Sequence, residues 1–310
     1  MTAIRVIGRT ANPVLAEAVA ERLAAGPAAV AIERFPDGDL RPMVDGVAGQ
    51  DVYVVAPTSP PVSEHLLELA LILDASRRAG AARLTAVVPY FGYARQDHRT
   101  WPGEAIGARV ALDVIASAGA HRLVVVDPHA PGLEAAAPIP VETLTAVHLL
   151  ADATGETIEP PVVVAADLGA VTLADRYAVL LGAPVAMVRN YRVSGHEVHA
   201  EELVGEVAGR RAVVVDDMVS TGATIEAAVS LVRARGARPS VVVAATHGLL
   251  VGPALTRLAR LAPLRLLTTD STAVLTGLPT VEVCSIAPLL ATTIARLHTG
   301  SGLDDLGLRR

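Results

Sequence analysis

The sequence predicts an α/β fold of two doubly wound domains, each with a mainly parallel sheet flanked by helices, and three observations carry that reading. Short runs of Val, Ile and Leu recur along the chain, each followed by a longer stretch with helical spacing, the pattern of parallel strands covered on both faces. The chain has 310 residues, which at roughly 150 per domain gives two domains. Apolar residues make up 52 % of it, enough to bury a core in each.

The apolar runs place strands at 4–7, 52–56, 84–88, 123–126, 162–165, 212–215, 241–245 and 264–268. Helical spacing places helices at 13–24, 64–78, 106–117, 171–181, 224–235 and 253–261. The helix from Thr224 shows the logic. Ile225, Val229 and Val232 line one face, Arg233 and Arg235 sit where the dipole favours cations, and Gly236 follows as a terminator. Between Pro138 and Pro161 the rhythm loosens, with Pro138, Pro140, Pro160 and Pro161 flanking one possible helix, so the domain crossover falls within 145–160. The expected division is 1–147 and 148–310.

Composition excludes several chemistries. The formal charge of −6 gives no general attraction to nucleic acid or an anionic membrane, so any phosphate must be held locally. The chain contains no lysine: all 26 basic side chains are arginine, which removes Schiff-base chemistry and the P-loop and protein-kinase lysines together. Cys284 is the only cysteine, so there is no intramolecular disulfide and no multi-thiolate zinc site, as suits a reducing cytoplasm. The mean hydropathy is +0.45. Even so, the most apolar stretch, 240–255, is broken by His247, Gly248, Gly252 and Pro253 and falls short of the ~20 residues of a membrane span. Arg5 and Arg9 interrupt the first apolar run, unlike a signal peptide. The expectation is a soluble cytoplasmic protein.

Ligands of open α/β sheets bind outside the carboxyl ends of the strands, so the polar residues there matter most. Val213, Val214 and Val215 run into Asp216, Asp217, Met218, Val219, Ser220, Thr221, Gly222, Ala223 and Thr224, and then into a helix. Strand, polar loop and helix N-terminus make an anion site: backbone N–H groups, the hydroxyls of Ser220, Thr221 and Thr224, and a glycine that lets the backbone close on a phosphate. Two acids just before the loop would repel a phosphate, so they suit neutral hydroxyls or a divalent cation. A phosphorylated sugar such as ribose 5-phosphate satisfies both demands. The plainer alternative is that Ser220 or Thr221 only caps the helix while Asp217 solvates a strand end.

Residues 213–224 resemble the phosphoribosyl-diphosphate motif shared by type I phosphoribosyltransferases and ribose-phosphate diphosphokinases. The N-terminal half separates the two. Phe35-Pro-Asp-Gly-Asp39, the Thr58-Ser-Pro-Pro61 turn, Val88-Pro-Tyr-Phe-Gly-Tyr-Ala-Arg-Gln-Asp97 and Asp127-Pro-His-Ala130 resemble, in order and spacing, segments of ribose-phosphate diphosphokinase (phosphoribosyl diphosphate synthetase). The resemblance runs from about residue 4 to residue 298. It implies two phosphoribosyltransferase-type domains and transfer of the β,γ-diphosphate of Mg-ATP to the anomeric hydroxyl of ribose 5-phosphate. Carried over motif by motif, it implies that Phe35, Asp37, Gly38 and Asp39 contact ATP from a neighbouring subunit, hence a homo-oligomer, a dimer or a dimer-based hexamer. It further implies that Arg95, Gln96 and Asp97 hold ATP and that His129 and Asp167 are associated with Mg²⁺. Asp216, Asp217, Ser220, Thr221, Gly222, Ala223 and Thr224 would bind ribose 5-phosphate.

The resemblance breaks most sharply in one loop. The family carries a lysine and, two residues on, an arginine in a mobile loop that stabilises the transition state. Aligned on Arg192, Ser194 and Glu197, the lysine position here is Asn190. Arg192 is the matching cation and an expected contact of ribose 5-phosphate as well, and Arg189 is the nearest candidate to replace the lysine. Ser220 for aspartate and Asp39 for glutamate are milder departures. Two alternatives therefore stay open: a non-catalytic or regulatory homologue that binds nucleotide, and a diphosphoryl or phosphoribosyl transferase acting on a different sugar phosphate.

Overall fold

The computed structural model describes residues 2–8, 10–155, 161–192, 198–273, 280–303 and 306, with the backbone alone at 27, 190–192 and 198–201. Arg9, Pro160, Ser194 and Glu197, named above, lie outside the described residues. In chain order the first half comprises β1 (Ile4–Gly8), α1 (Pro13–Arg22), β2 (Gly26–Pro27), β3 (Ala29–Arg34), β4 (Leu40–Asp45), β5 (Asp51–Val55), α2 (Val62–Arg78), β6 (Arg83–Val88), α3 (Gly107–Ser117), β7 (Arg122–Val126), α4 (Leu133–Ala136) and β8 (Val141–Leu144). There follow α5 (Val147–Ala153), β9 (Val162–Ala165), α6 (Val171–Leu181), β10 (Val185–Arg192), β11 (Val198–Val204), β12 (Ala212–Val219), α7 (Ala223–Ala234) and β13 (Val241–Gly248). The chain then continues through α8 (Ala254–Arg260), β14 (Leu264–Thr269), β15 (Val281–Cys284) and α9 (Ala287–Thr299).

Two compact units result: Met1–Thr145 with Ser271–Ala273 and Ser285–Arg310, and Ala146–Asp270 with Val274–Cys284. The switch after Thr145 falls in the stretch where the strand-helix rhythm loosens. The C-terminal segment departs from the simple division at 147, because α9 packs against α1 and so returns to the first unit.

The first unit is built on a parallel sheet in the order β2-β1-β5-β6-β7-β8. Its central strands are buried throughout, Val52 to Val55 and Leu84 to Val88 alike, which is why they read as unbroken apolar runs. Leu69, Ile72 and Leu73 of α2 and Leu112 and Ile115 of α3 fill one face. α1 and α9 pack together, and Tyr53, buried in β5, reaches α9 with its hydroxyl 3.5 Å from the Ile294 carbonyl. That hydroxyl donates to Asp51 at 2.9 Å, and Asp51 also receives Arg83 Nε at 2.8 Å and stands 2.7 Å from His298 Nδ1. Burial pushes the Asp51 carboxyl up, but the bonds from Arg83, His298 and Tyr53 outweigh it and leave Asp51 below the ordinary aspartate range.

Separate from that sheet, β3 and β4 form an antiparallel hairpin. Val30, Ile32 and Val44 pack inward on the core, while the alternate residues face outward. Its turn is Phe35-Pro-Asp-Gly-Asp39.

The second unit has the sheet order β11-β10-β9-β12-β13-β14-β15, parallel except for the β10–β11 hairpin. Val162, Val164, Val214 and Val243 meet Ile225, Val229 and Val232 of α7 on one face. α5 and α6 lie against the sheet with Ala174 and Tyr177 buried. Parallel strands bring the ends of β9, β10 and β12 to one edge of the sheet, and the expected functional residues of this unit stand there.

Candidate active site

Strand β12 carries its apolar run past Val215: Asp216 pairs in register with Ala245, Met218 with His247 and Val219 with Gly248. The sequence reading ends this strand at 215 and gives 216–224 to a loop. The ladder to β13 continues beyond the acids, so Asp216 and Asp217 are strand residues held rigidly, and the loop proper is Ser220, Thr221 and Gly222.

Gly222 is the N-cap of α7, at φ +77°, and makes no side-chain cap. Neither Ser220 nor Thr221 caps the helix, so the plainer alternative is not what forms. The first helical bond runs from the Glu226 N–H to the Gly222 carbonyl at 2.8 Å. Among the described residues, the N–H groups of Ser220 to Ile225 and the hydroxyls of Ser220, Thr221 and Thr224 donate to no protein acceptor. Six backbone donors and three hydroxyls are thus left for something outside the protein, at the positive end of a helix dipole.

The acids behind the loop are electrostatically crowded. Burial, then the charge of Asp217 and then that of Asp167, raise the Asp216 carboxyl well above the ordinary aspartate range. Asp167 follows β9 and accepts the Ala170 N–H at 3.2 Å, opening a 3₁₀ turn. The Asp216 carboxyl therefore feels Asp217 beside it and Asp167 at the end of the neighbouring strand.

Beyond Met187, the last residue of β10 paired with β9, Arg189 to Arg192 continue only in the hairpin with β11. Arg189 is exposed and its Nη1 lies 2.9 Å from Glu202 Oε2 across the hairpin. The register shifts between Arg189 and Asn190, an irregularity of the kind often found beside active sites. Arg192 ends β10, and its side chain lies outside the described residues. Glu202 was not legible as a partner, because only the hairpin register brings it opposite Arg189.

In the first unit, the 35–39 turn is closed by the Phe35 N–H on the Asp39 carbonyl and the Gly38 N–H on the Phe35 carbonyl, both at 2.9 Å. Gly38 sits at φ +99°, and the Asp37 carboxylate takes the Asp39 N–H at 3.2 Å. Asp37, Gly38 and Asp39 are exposed, and the Phe35 ring carries the Arg41 guanidinium at 5.2 Å. After β6 the chain bends at Tyr93, φ +66°, whose hydroxyl lies 2.8 Å from Ser63 Oγ. Asp97 pairs with His98 at 2.6 Å and not with Arg95. Arg95 is exposed with no partner among the described residues, and the Gln96 carbonyl anchors α3 through the Ala108 N–H at 3.1 Å. His129 is exposed in the loop after β7, where Asp127 stands at φ +37°. Non-glycine residues at positive φ concentrate in such strand-end loops, where strain is commonly stored for function: Tyr93, Asp127 and Leu250 all follow the ends of parallel strands.

These features define a two-unit protein of the phosphoribosyltransferase class, with a donor-rich loop at a helix N-terminus in the second unit. Family models agree: the N-terminal domain of ribose phosphate pyrophosphokinase matches residues 4–119, and the phosphoribosyl transferase domain matches residues 142–256. Ribose-phosphate pyrophosphokinase of Aquifex aeolicus (strain VF5) is 35% identical over 310 residues and covers 99% of both chains. That of Rhodopirellula baltica is 37% identical with 99% of both chains covered, and ribose-phosphate pyrophosphokinase 1 of Spinacia oleracea is 37% identical over 98% of this chain and 93% of its own. The crystal structure of phosphoribosylpyrophosphate synthetase from Mycobacterium smegmatis superposes with a TM-score of 0.89 at 34% identity, covering 97% of this chain and all of that one. The chain belongs to the ribose-phosphate pyrophosphokinase family. Among the described residues no helix is long and apolar enough to cross a membrane.

Proposed function

We propose that the chain transfers the β,γ-diphosphate of ATP to the anomeric hydroxyl of ribose 5-phosphate, giving phosphoribosyl diphosphate and AMP. The observation that carries this reading is the Ser220–Thr224 loop, with its unused donors beside two strand-held acids, in a chain aligned end to end with ribose-phosphate pyrophosphokinases. In the reaction the anomeric oxygen bonds to the β-phosphorus, the bond from that phosphorus to the α,β-bridging oxygen breaks, and the hydroxyl proton is lost.

Ser220, Thr221, Gly222, Ala223 and Thr224 grip the 5-phosphate, and Asp216 and Asp217 receive the 2- and 3-hydroxyls of the sugar. This division follows charge: the donors take the anion, and the acids take neutral hydroxyls. Arg95, a cation with no described partner, takes ATP phosphate oxygens, with Gln96 and Asp97 beside it. Phe35, Asp37, Gly38 and Asp39 serve the nucleotide of a neighbouring copy, the ring offering a stacking face, so the working form is a homo-oligomer. Arg189 and Arg192 stabilise the charge of the moving diphosphate.

In the second unit, Asp167, Asp216 and Asp217 are oxygen donors of the kind Mg²⁺ takes. Among the described residues no group of three or more His, Cys, Asp or Glu side chains is arranged to hold a metal ion alone. Mg²⁺ ordinarily takes one or two carboxylates and completes its shell with water and substrate phosphate. Asp167 offers a carboxylate, His129 acts through water or nucleotide, and the crowding around Asp216 is the field a cation relieves. When bound, Mg²⁺ neutralises phosphate charge and opens phosphorus to attack.

The test is direct: purified protein given ATP, Mg²⁺ and ribose 5-phosphate releases AMP stoichiometrically with phosphoribosyl diphosphate. ATP binding without AMP release, or turnover only with another sugar phosphate, would overturn the reading.

A further inference from the structure

The Ser220–Gly222 loop is gripped from behind by a second segment. The Leu250 N–H donates to the Val219 carbonyl at 3.0 Å and the Val251 N–H to the Ser220 carbonyl at 3.0 Å. Arg257 Nη1, from α8, then donates to the Thr221 carbonyl at 3.3 Å. Three successive carbonyls thus face the 250–257 segment. A trans peptide is planar, with its C=O and N–H antiparallel, so the N–H groups of Ser220, Thr221 and Gly222 point away from that segment. Successive N–H groups turned to one side form an anion-binding nest. These are three of the donors that find no acceptor among the described residues.

Each backbone bond in this grip is fixed by the fold, but the third depends on one side chain. The Arg257 side chain is about one-fifth exposed and its Nε stands 3.3 Å from Glu226 Oε2 on α7, so it spans from α8 to the loop and to the first turn of the helix behind it. Leu250 holds φ +46°, a left-handed conformation unusual for leucine, which turns the chain to present consecutive N–H groups to the loop. Gly222 follows at φ +77°, with Ala254 of α8 at 3.6 Å from where a Cβ would stand.

We infer that Arg257 is a positioning residue for the phosphate of the sugar substrate: it fixes the Thr221–Gly222 peptide so that the Gly222 N–H faces the phosphate, without touching the substrate itself. The inference rests on reading the loop as the ribose 5-phosphate site. Without Arg257 that peptide is free to rotate, and the nest loses its last donor together with the preorganisation of its neighbours.

Arg257→Ala is expected to raise KM and Kd for ribose 5-phosphate about 10- to 100-fold, the range of a lost charge-assisted hydrogen bond, with KM for ATP unchanged. Arg257→Lys, which keeps the charge but not the fork, falls between. Thermal melting verifies that each variant is folded, and Arg257→Lys decides the matter if the alanine variant is not. A folded variant with wild-type ribose 5-phosphate affinity, or one whose ATP and ribose 5-phosphate constants worsen equally, overturns the inference. Wild-type protein that binds no ribose 5-phosphate in the same titration instead overturns the reading of the loop, so the two failures are distinct.

Discussion

Arg189 and Glu202 face each other across the β10–β11 hairpin, guanidinium to carboxylate at 2.9 Å, with both side chains more than half exposed. The pair occupies the residue beside Asn190, where the family resemblance expects a lysine. An exposed pair of this kind contributes at most about 1 kcal/mol, so phosphate oxygens can displace Glu202 at little cost. Arg189→Ala is expected to lower kcat about 100-fold, the scale of one lost oxyanion contact. Glu202→Gln leaves the melting temperature within error and raises kcat/KM several-fold by freeing the arginine. Steady-state kinetics of the two variants check this, and an inactive Glu202→Gln would show that the pair itself is the working arrangement.

Arg192 ends the same strand and is the cation that matches the family motif, so under the proposed reaction its role is toward the moving diphosphate more than toward bound ATP. Arg192→Ala should therefore reduce turnover far more than ATP affinity. Equal losses in kcat and in ATP binding would contradict a transition-state role.

Eight inner parallel strands were legible because burial on both faces leaves continuous apolar runs, as at 52–56 and 241–245, whereas the short parallel strands β2, β8 and β15 at the sheet edges were not. The two hairpins were not. β3 and β4 alternate inward Val30, Ile32 and Val44 with exposed Ala29, Ala31, Glu33, Arg41, Met43 and Asp45, and β11 holds Glu201 and Glu202 at its centre, so neither shows an unbroken run of Val, Ile and Leu. Helix α9 escaped notice too, as Thr292, Thr293 and Thr299 dilute its stripe; each bonds back to a carbonyl of its own helix. At the site, sequence found Asp216, Asp217 and the hydroxyls because chain neighbours carry them. It missed Arg257 and Glu202, which reach the site through register and packing from elsewhere in the chain.

Asp216 makes stability depend on pH. Its folded carboxyl titrates well above 3.8, so the native state holds a proton that the unfolded chain has released. Stability from this group is present below about pH 4 and declines as pH rises through the folded value. Asp216→Asn removes the decline, so the difference in melting temperature between variant and wild type should widen from acid to neutral pH. Added Mg²⁺ should narrow it at neutral pH, and a constant difference across the range would contradict the crowding of Asp167, Asp216 and Asp217.

Asp51 has the opposite sign. Its folded value lies below 3.8, so the stability it contributes is present above that pH and is lost as pH falls through the folded value. Its side chain is only 2% exposed and serves Arg83, Tyr53 and His298 together. Asp51→Ala leaves those groups without their shared acceptor and is expected to cost about 3–5 kcal/mol, measured by denaturant unfolding. A cost below about 1 kcal/mol would mean that the network does not hold α9 to the first unit.

Trp101 offers a reading of the first unit that needs no substitution. It is the only tryptophan, 74% exposed, in the 95–106 stretch that begins at Arg95 and is exposed throughout. Glu104 pins it locally, its carboxylate taking the Thr100 and Trp101 N–H groups at 2.7 and 3.0 Å. Since Arg95 and the indole share this one exposed stretch, the indole is placed to report a nucleotide phosphate that, on the proposed reading, draws in Arg95. ATP titration should therefore shift or quench the intrinsic emission with a saturable curve, and Arg95→Ala should weaken the midpoint about 10-fold or more, as expected when a charged phosphate contact is lost. Ribose 5-phosphate alone, assigned by the proposal to the loop of the second unit, should leave the emission unchanged. An emission that responds to ribose 5-phosphate but not to ATP would reverse the assignment of the two substrates to the two units.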